Sequence, residues 1–542
     1  MHSSVLLVSC TRFSKLGLQD MFESESSREL REAPKIDFRS SCRYTVSTFA
    51  DTRITGKSKM FLMRSSNFSG NHSYGSLIRQ KKYGKVFGAF EGPMPTLIVA
   101  DPDLVKLVLV KHFQTFPNRR LFKMNDPILD NMMSLVAADR WRKIRPAASP
   151  AFSTGKLRKM NELIQDCARV SMQHLLKAAK GENEVNAKEF FGHYTLDVIA
   201  RCAFGTKLDS HSDQANQFVS KARSAFNLKP TLPILLTFYI FGLFPFLSKL
   251  LRLPAFSSDA FAFFKTVCVN IIEKRKLSSM KHQDFLQLMV DAQDGRLQAG
   301  PEGPEDAEDK LFNLGAKQAQ ATEQTADSKA LTEDEALSQC VVFFIGGQDT
   351  TSSVIAYTAY LLALHPDVQQ RLQEEVDNCI KEHGEEPSLD DISKLKYLNC
   401  VISESLRLYP PAVFVDRTAC EDFTFGDTGF KLPKNCVVRV PVYAMHHDPE
   451  YFEDPEKFDP ERFSEENVGL IRPYSYLPFG AGPRNCIGMR FALQVVKVCM
   501  FHVIRNVELL RTPNTQVPLK MVRSLGLLTA EDIIIGVQKR GL

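Results

Sequence analysis

The sequence predicts a mainly α-helical fold with a minor β region. Three observations carry that reading. Residues 332–364 form one long stretch that is apolar on most faces and ends at His365-Pro366. Helix-type spacing of apolar residues recurs over 139–226, 366–381 and 395–408. Strand-like runs are few and short, at 86–90, 96–99, 423–425, 437–440 and 533–538.

Residues 1–80 are rich in Ser, Arg and Glu and show no clear period, so they are predicted to be largely disordered. Their longest apolar runs, 5–8 and 60–63, are too short for a secretory signal or a membrane span. Order is expected from Tyr83, with 81–542 forming a single domain. Glu91-Gly92-Pro93 separates the first two strands, and Asp101-Pro102 opens a helix. Residues 231–248 carry no charge and lie between Lys229 and Lys249. Pro233, Gly242 and Pro245 interrupt them, which predicts two short apolar pieces resting on a membrane surface rather than one spanning helix. Residues 297–330 are polar throughout and read as a solvated loop. Thr332 and Glu335 then form a Thr-x-x-Glu capping box at the head of the long helix. A tight turn at Gly480-Ala481-Gly482-Pro483 precedes a helix expected from about Cys486 to Arg505.

Composition narrows the function. The chain has 68 Lys+Arg against 63 Asp+Glu, a net charge of +5 that is too mild to point to nucleic acid. Its twelve cysteines are scattered with no Cys-x-x-Cys pair, which excludes a zinc ribbon or a thioredoxin motif and fits a reducing compartment. His446-His447-Asp448 lacks a third ligand at metal spacing and reads as structural.

Four patterns carry chemistry. In Phe479-Gly480-Ala481-Gly482-Pro483-Arg484-Asn485-Cys486-Ile487-Gly488, two glycines and a proline deliver one cysteine toward a helix N-terminus, where the dipole favours a thiolate. Arg484 can pair with a carboxylate on a ligand, and Gly488 permits close approach of something flat. The long helix contains Gly346-Gly347-Gln348-Asp349-Thr350-Thr351. A glycine pair inside a helix costs about 1 kcal/mol per residue relative to alanine, so a close approach should compensate. An acid in that apolar helix needs a partner or a task, while Thr350 could simply bond back to its own turn. Glu404 and Arg407 share one helix face, with Pro460-Glu461-Arg462-Phe463 downstream. Trp141 and Arg145 lie one turn apart and together suit a carboxylate.

These motifs, in this order, resemble those of the cytochrome P-450 family, and the resemblance covers the chain from about Lys81 onward. Phe479, Gly482, Arg484, Cys486 and Gly488 fill every fixed position of that family's haem-binding signature. The resemblance implies the P-450 fold, with haem b between the long central helix and the cysteine loop. It implies Cys486 as the iron ligand, and Arg119, Trp141, Arg145, Gly346, Arg417, Phe479, Arg484 and Gly488 as further haem contacts. Thr350 would hold an oxygen-bound water network and Asp349 would help relay protons. Glu404, Arg407 and Arg462 would brace the loop. Ile345, Gly346, Ala412 and Val413 would face an apolar pocket. Arg142, Lys143, Lys156, Arg158 and Lys159 would form the docking face for an NADPH-dependent flavoprotein reductase, with cytochrome b5 as a second donor. The implied activity is monooxygenation of a lipophilic substrate at the cytoplasmic face of the endoplasmic reticulum membrane. The texture resembles the animal microsomal group that contains the drug-metabolising third family and thromboxane synthase. A peroxide isomerase and a non-catalytic haem- or lipid-binding protein are the alternatives.

Overall fold

The computed structural model describes residues 63–64 and 72–541, apart from 92–93, 121–125, 182, 214–215, 227–257, 277–283, 297–310, 313–330, 426–429, 523 and 525. The apolar stretch 231–248 therefore lies outside the described residues. Of the polar stretch 297–330, Leu311 and Phe312 are described, and Phe312 is buried.

The helices are α1 (His72–Tyr83), α2 (Pro102–Lys106), α3 (Ala138–Ala148), α4 (Thr154–Ala178), α5 (Ala187–Phe204), α6 (Gln217–Phe226), α7 (Ser258–Lys276), α8 (Phe285–Gln293), α9 (Glu333–Leu364), α10 (Pro366–His383), α11 (Leu389–Ser393), α12 (Lys396–Leu408), α13 (Val442–His446) and α14 (Met489–Asn506). The first sheet runs in the order β1 (Met63–Arg64), β2 (Val86–Glu91), β3 (Met94–Val99), β8 (Val437–Val440), β5 (Val415–Thr418). A second contains β4 (Glu184–Asn186), β12 (Ile534–Lys539) and β9 (Val507–Leu510). Two hairpin pairs, β6 (Phe423–Phe425) with β7 (Phe430–Leu432) and β10 (Met521–Val522) with β11 (Thr529–Ala530), complete the strands described. The mainly helical class with minor sheets is as the sequence predicts.

Local chemistry explains the boundaries. The Thr332 hydroxyl accepts from the Glu335 N–H while the Glu335 carboxylate accepts from the Thr332 N–H, so α9 starts on its capping box. It stops at Leu364 because Pro366 disfavours helical geometry at His365. Order begins before Tyr83, contrary to the sequence reading. In α1, Leu77 is buried and Gln80 Nε2 donates to Asp448 Oδ2 at 2.6 Å. The periodicity of 72–83 is weak, and distant partners hold that helix in place. α14 begins at Met489 with Gly488 as its cap, so Cys486 sits in the preceding turn rather than on the helix.

α9 crosses the centre of the helical core and packs along α5. A Cβ on Gly347 would lie 2.7 Å from Ile199 Cδ1, so this glycine serves the contact between the two helices. Two apolar bodies meet at the cysteine loop. The helical body includes Trp141, Tyr194, Phe344, Tyr357 and Met489, with Phe479 and Ile487 packed on it. The sheet-side body includes Leu97, Leu109, Val438, Leu477 and Ala481. Among the described residues no helix is long and apolar enough to cross a membrane.

Candidate active site

The cysteine loop is fixed by its own backbone. Cys486 N–H donates to the Phe479 carbonyl at 2.9 Å, and Asn485 N–H donates to that of Gly482 at 3.0 Å. Gly480 and Gly482 have φ of +73° and +72°. A Cβ on Gly482 would stand 2.0 Å from the Leu109 carbonyl oxygen, so both backbone conformation and space demand glycine there. Among the described residues ten cysteines are free, and Cys486 is the exposed one. Enough protein surrounds its thiol that desolvation still acts on it. Burial pushes it up, while the Gly488 N–H, Arg145 and Arg119 pull it down. The Gly488 N–H and the two guanidiniums are the groups around the sulfur that favour its anion.

Beside the loop lies a set of buried guanidiniums. Arg417 is 1% exposed and Arg484 2%. Arg417 Nε and Arg484 Nε and Nη1 have no hydrogen-bond partner. Burial, then the charges of Arg119 and Arg417, push Arg484 down to about 8; burial, then Arg119, push Arg417 down to about 9. Asp416 offsets Arg417 only in part, because it is held by Arg439 at 2.7 and 2.8 Å and by Arg120 at 3.6 Å. Arg119 Nη2 donates to the Arg484 carbonyl at 3.0 Å. Burying an unpaired ion costs several kcal/mol. Orphaned N–H donors on clustered cations therefore fit an anionic ligand such as a carboxylate. Trp141 lies under this set, with the Arg484 guanidinium 4.8 Å from its ring centre. Arg145 is placed differently from Trp141. Its Nη1 and Nη2 donate to Asn485 O and Oδ1, both at 3.0 Å, so it grips the loop next to Cys486.

On α9, Gly346 has nothing within 4 Å of where a Cβ would stand, so the helix is open at that point. Thr350 Oγ1 donates to the Gly346 carbonyl at 2.6 Å, the back-bond considered from sequence. Asp349 is not alone. Lys188 Nζ on α5 donates to Asp349 Oδ1 at 2.8 Å, to its carbonyl at 3.0 Å, to Ser352 Oγ at 3.2 Å and also to Ser353 Oγ. Sequence reasoning missed Lys188, since no local pattern ties it to a residue so far along the chain.

A family model for cytochrome P450 matches residues 69–535. The chain belongs to the cytochrome P450 family. Similar proteins include cytochrome P450 3A11 of Mus musculus, 37% identical over 460 residues, 84% of each chain. Cytochrome P450 3A31 of Mesocricetus auratus is 38% identical over 464 residues, 85% of this chain and 86% of the other. Cytochrome P450 3A7 of Homo sapiens is 36% identical with the same coverage. This is an enzyme of the cytochrome P450 monooxygenase type, and membership implies a haem-thiolate centre.

In this cytochrome P450 the Glu404–Arg407 pair is no surface ion pair. Both side chains are fully buried, with bonds of 2.7 and 2.8 Å between them. Arg407 also donates to the carbonyls of His446, Pro455 and Lys457, and Glu404 accepts from the Asp459 N–H at 3.0 Å. Arg462 Nε stands 3.5 Å from Glu404. His446 is structural, as read from sequence: its Nε2 accepts from the Leu477 N–H at 2.9 Å, two residues before Phe479. The basic set on α3 and α4 is partly engaged. Lys143 and Arg140 hold the buried Glu335, each at 3.1 Å, and Arg158 pairs with Asp390. Lys159 is exposed.

Proposed function

We propose that this cytochrome P450 inserts one atom of O2 into a lipophilic substrate, with electrons passed from NADPH by a flavoprotein reductase. Cys486 would supply the thiolate that holds the iron of haem b. Arg119, Arg417 and Arg484 would hold its carboxylates beside Trp141, Gly346, Phe479 and Gly488 would line its site, and Arg145 secures the loop. Haem bound in this way would supply oxygen activation, with the thiolate's electron density favouring O–O cleavage. The chain's own residues govern protons. Thr350 spends its hydroxyl proton on Gly346, which leaves its oxygen lone pairs to accept from a water. Asp349, held by Lys188, is placed on the same helix turn to receive and pass a proton.

The observation that carries this reading is the cysteine loop beside orphaned guanidiniums. The paired Asp349 and the adjacent Thr350 favour a monooxygenase over a peroxide isomerase, which needs no proton delivery to oxygen. We place the enzyme on the cytoplasmic face of the endoplasmic reticulum, with 231–248 at the membrane surface and the Lys156–Lys159 side toward its electron donor, the reductase or cytochrome b5. Charge complementarity would steer that encounter. The test is a carbon-monoxide difference spectrum of the reduced protein, followed by turnover with and without reductase. A thiolate-type band lost in Cys486→Ala, and turnover that needs NADPH and reductase, are expected. Product formed equally well without either would favour the isomerase.

A further inference from the structure

The cysteine loop is gripped by Leu109 under Gly482, by Arg119 at Arg484 and by Arg145 at Asn485. One more hold comes from outside every motif. Phe312 lies in the connection between α8 and α9, where the preceding ten residues include Glu302, Glu305, Asp306, Glu308 and Asp309. A phenylalanine in so polar a run should be solvated unless something receives it. Yet Phe312 is 3% exposed, and Leu311 packs on the same helical body.

Its receptor is the loop itself. The Phe312 ring meets Phe479 edge-on, with centroids 5.3 Å apart and planes at 88°, and lies 5.8 Å from Tyr476. These are favourable arrangements for aromatic pairs. Tyr476 is anchored in turn: its hydroxyl donates to the Ser403 carbonyl at 2.7 Å, and its ring lies 4.8 Å from Phe463. The Phe479 carbonyl accepts the Cys486 N–H. A direct path therefore runs from Phe312 through Phe479 to Cys486. The flanking helices meet elements that hold the same loop. Phe285 of α8 packs on Phe152 and Phe491, and Glu335 of α9 is bound to Arg140 and Lys143 of α3.

We propose that Phe312 is a positioning residue for Cys486, a clamp whose packing on Phe479 sets the stability of the iron–thiolate bond. This rests on Cys486 being the axial ligand. Any modification, cleavage or partner that draws Phe312 off Phe479 then loosens that ligand without touching the haem.

The test uses the full-length, haem-loaded protein, reduced and exposed to carbon monoxide. Conversion of the thiolate-type band to the blue-shifted band of a lost thiolate is followed on mild warming, beside the melting temperature. Phe312→Ala should convert on the order of ten-fold faster than wild type, and Phe312→Leu should fall between. Phe264→Ala, a buried phenylalanine packed on Phe218 and Phe344, serves as control. It should lower the melting temperature without matching that conversion. Conversion of Phe312→Ala within about two-fold of wild type overturns the clamp, as does equal conversion in the Phe264→Ala control. If Phe312→Ala does not fold, the Phe312→Leu rate decides by the same comparison. A wild type without the thiolate-type band removes the ligand assignment itself and the clamp with it.

Discussion

Lys188 shows how a single side chain outside all motifs can anchor one inside. Asp349 and Lys188 are each about a quarter exposed, and the lysine spreads its donors over the carboxylate and two serines. Replacing it by methionine should leave the carboxylate without its cation and its anchor, and lower product formed per NADPH consumed roughly ten-fold, a fraction of a general acid's usual contribution. Lys188→Arg should restore much of it, and coupling unchanged in both variants would remove Lys188 from the relay. Arg484 gives a prediction of opposite signs. It is buried with two orphaned donors and pushed down to about 8. Arg484→Leu should raise the melting temperature of the haem-free chain, because an unpaired buried charge is gone. The same change should weaken haem retention by roughly ten-fold or more, the worth of a charge-assisted hydrogen bond. Haem transfer to an acceptor protein and melting of the apoprotein measure the two. The sequence made Cys486, Arg484 and Asp349 legible because spacing marks them. It could not show that Arg145 grips Asn485, since that depends on where the loop's backbone turns.

At the scale of elements, legibility followed how local the cause was. α9 was readable to its last residue, because a capping box and a proline fix its ends within a few positions. The strands β5, β7 and β9 were not, because a run of three or four residues becomes a strand only when its partner is present. For β5 that partner is β8, whose Val438 lies opposite Arg417. The Glu404–Arg407 spacing was plain, yet its burial was not. A surface ion pair contributes roughly 0.2–0.5 kcal/mol, whereas breaking a buried one costs about 3–5 kcal/mol. Glu404→Gln should therefore destabilise the fold by about 3–5 kcal/mol, read by denaturant unfolding. A loss near that of a surface pair would show that Arg407 is satisfied by the three carbonyls it already reaches.

At the scale of the whole molecule, pH reports the buried histidines. Burial holds His211 near 3, His447 and His502 near 4, and His446 well below its ordinary value. In the unfolded chain all four titrate near 6.5. Their contribution to stability is complete above that value and is lost as pH falls below it, by up to roughly 5 kcal/mol per pH unit near pH 5. Asp197, pushed up to about 6 by burial, works the other way: its contribution is full below the ordinary carboxylate range and is lost as pH rises through 6. The histidines outnumber it, so the melting temperature should fall between pH 7 and pH 5; a flat profile would contradict their burial. One consequence concerns assembly. Ala481 belongs to the sheet-side body, Phe479 and Ile487 to the helical one, and Gly482 seats on Leu109 between them. A loop shaped by two bodies cannot take its form until both have closed. On the proposed ligand assignment, the sulfur would be offered to iron only when each half of the chain certifies the other, and haem capture would serve as the molecule's own proofreading step.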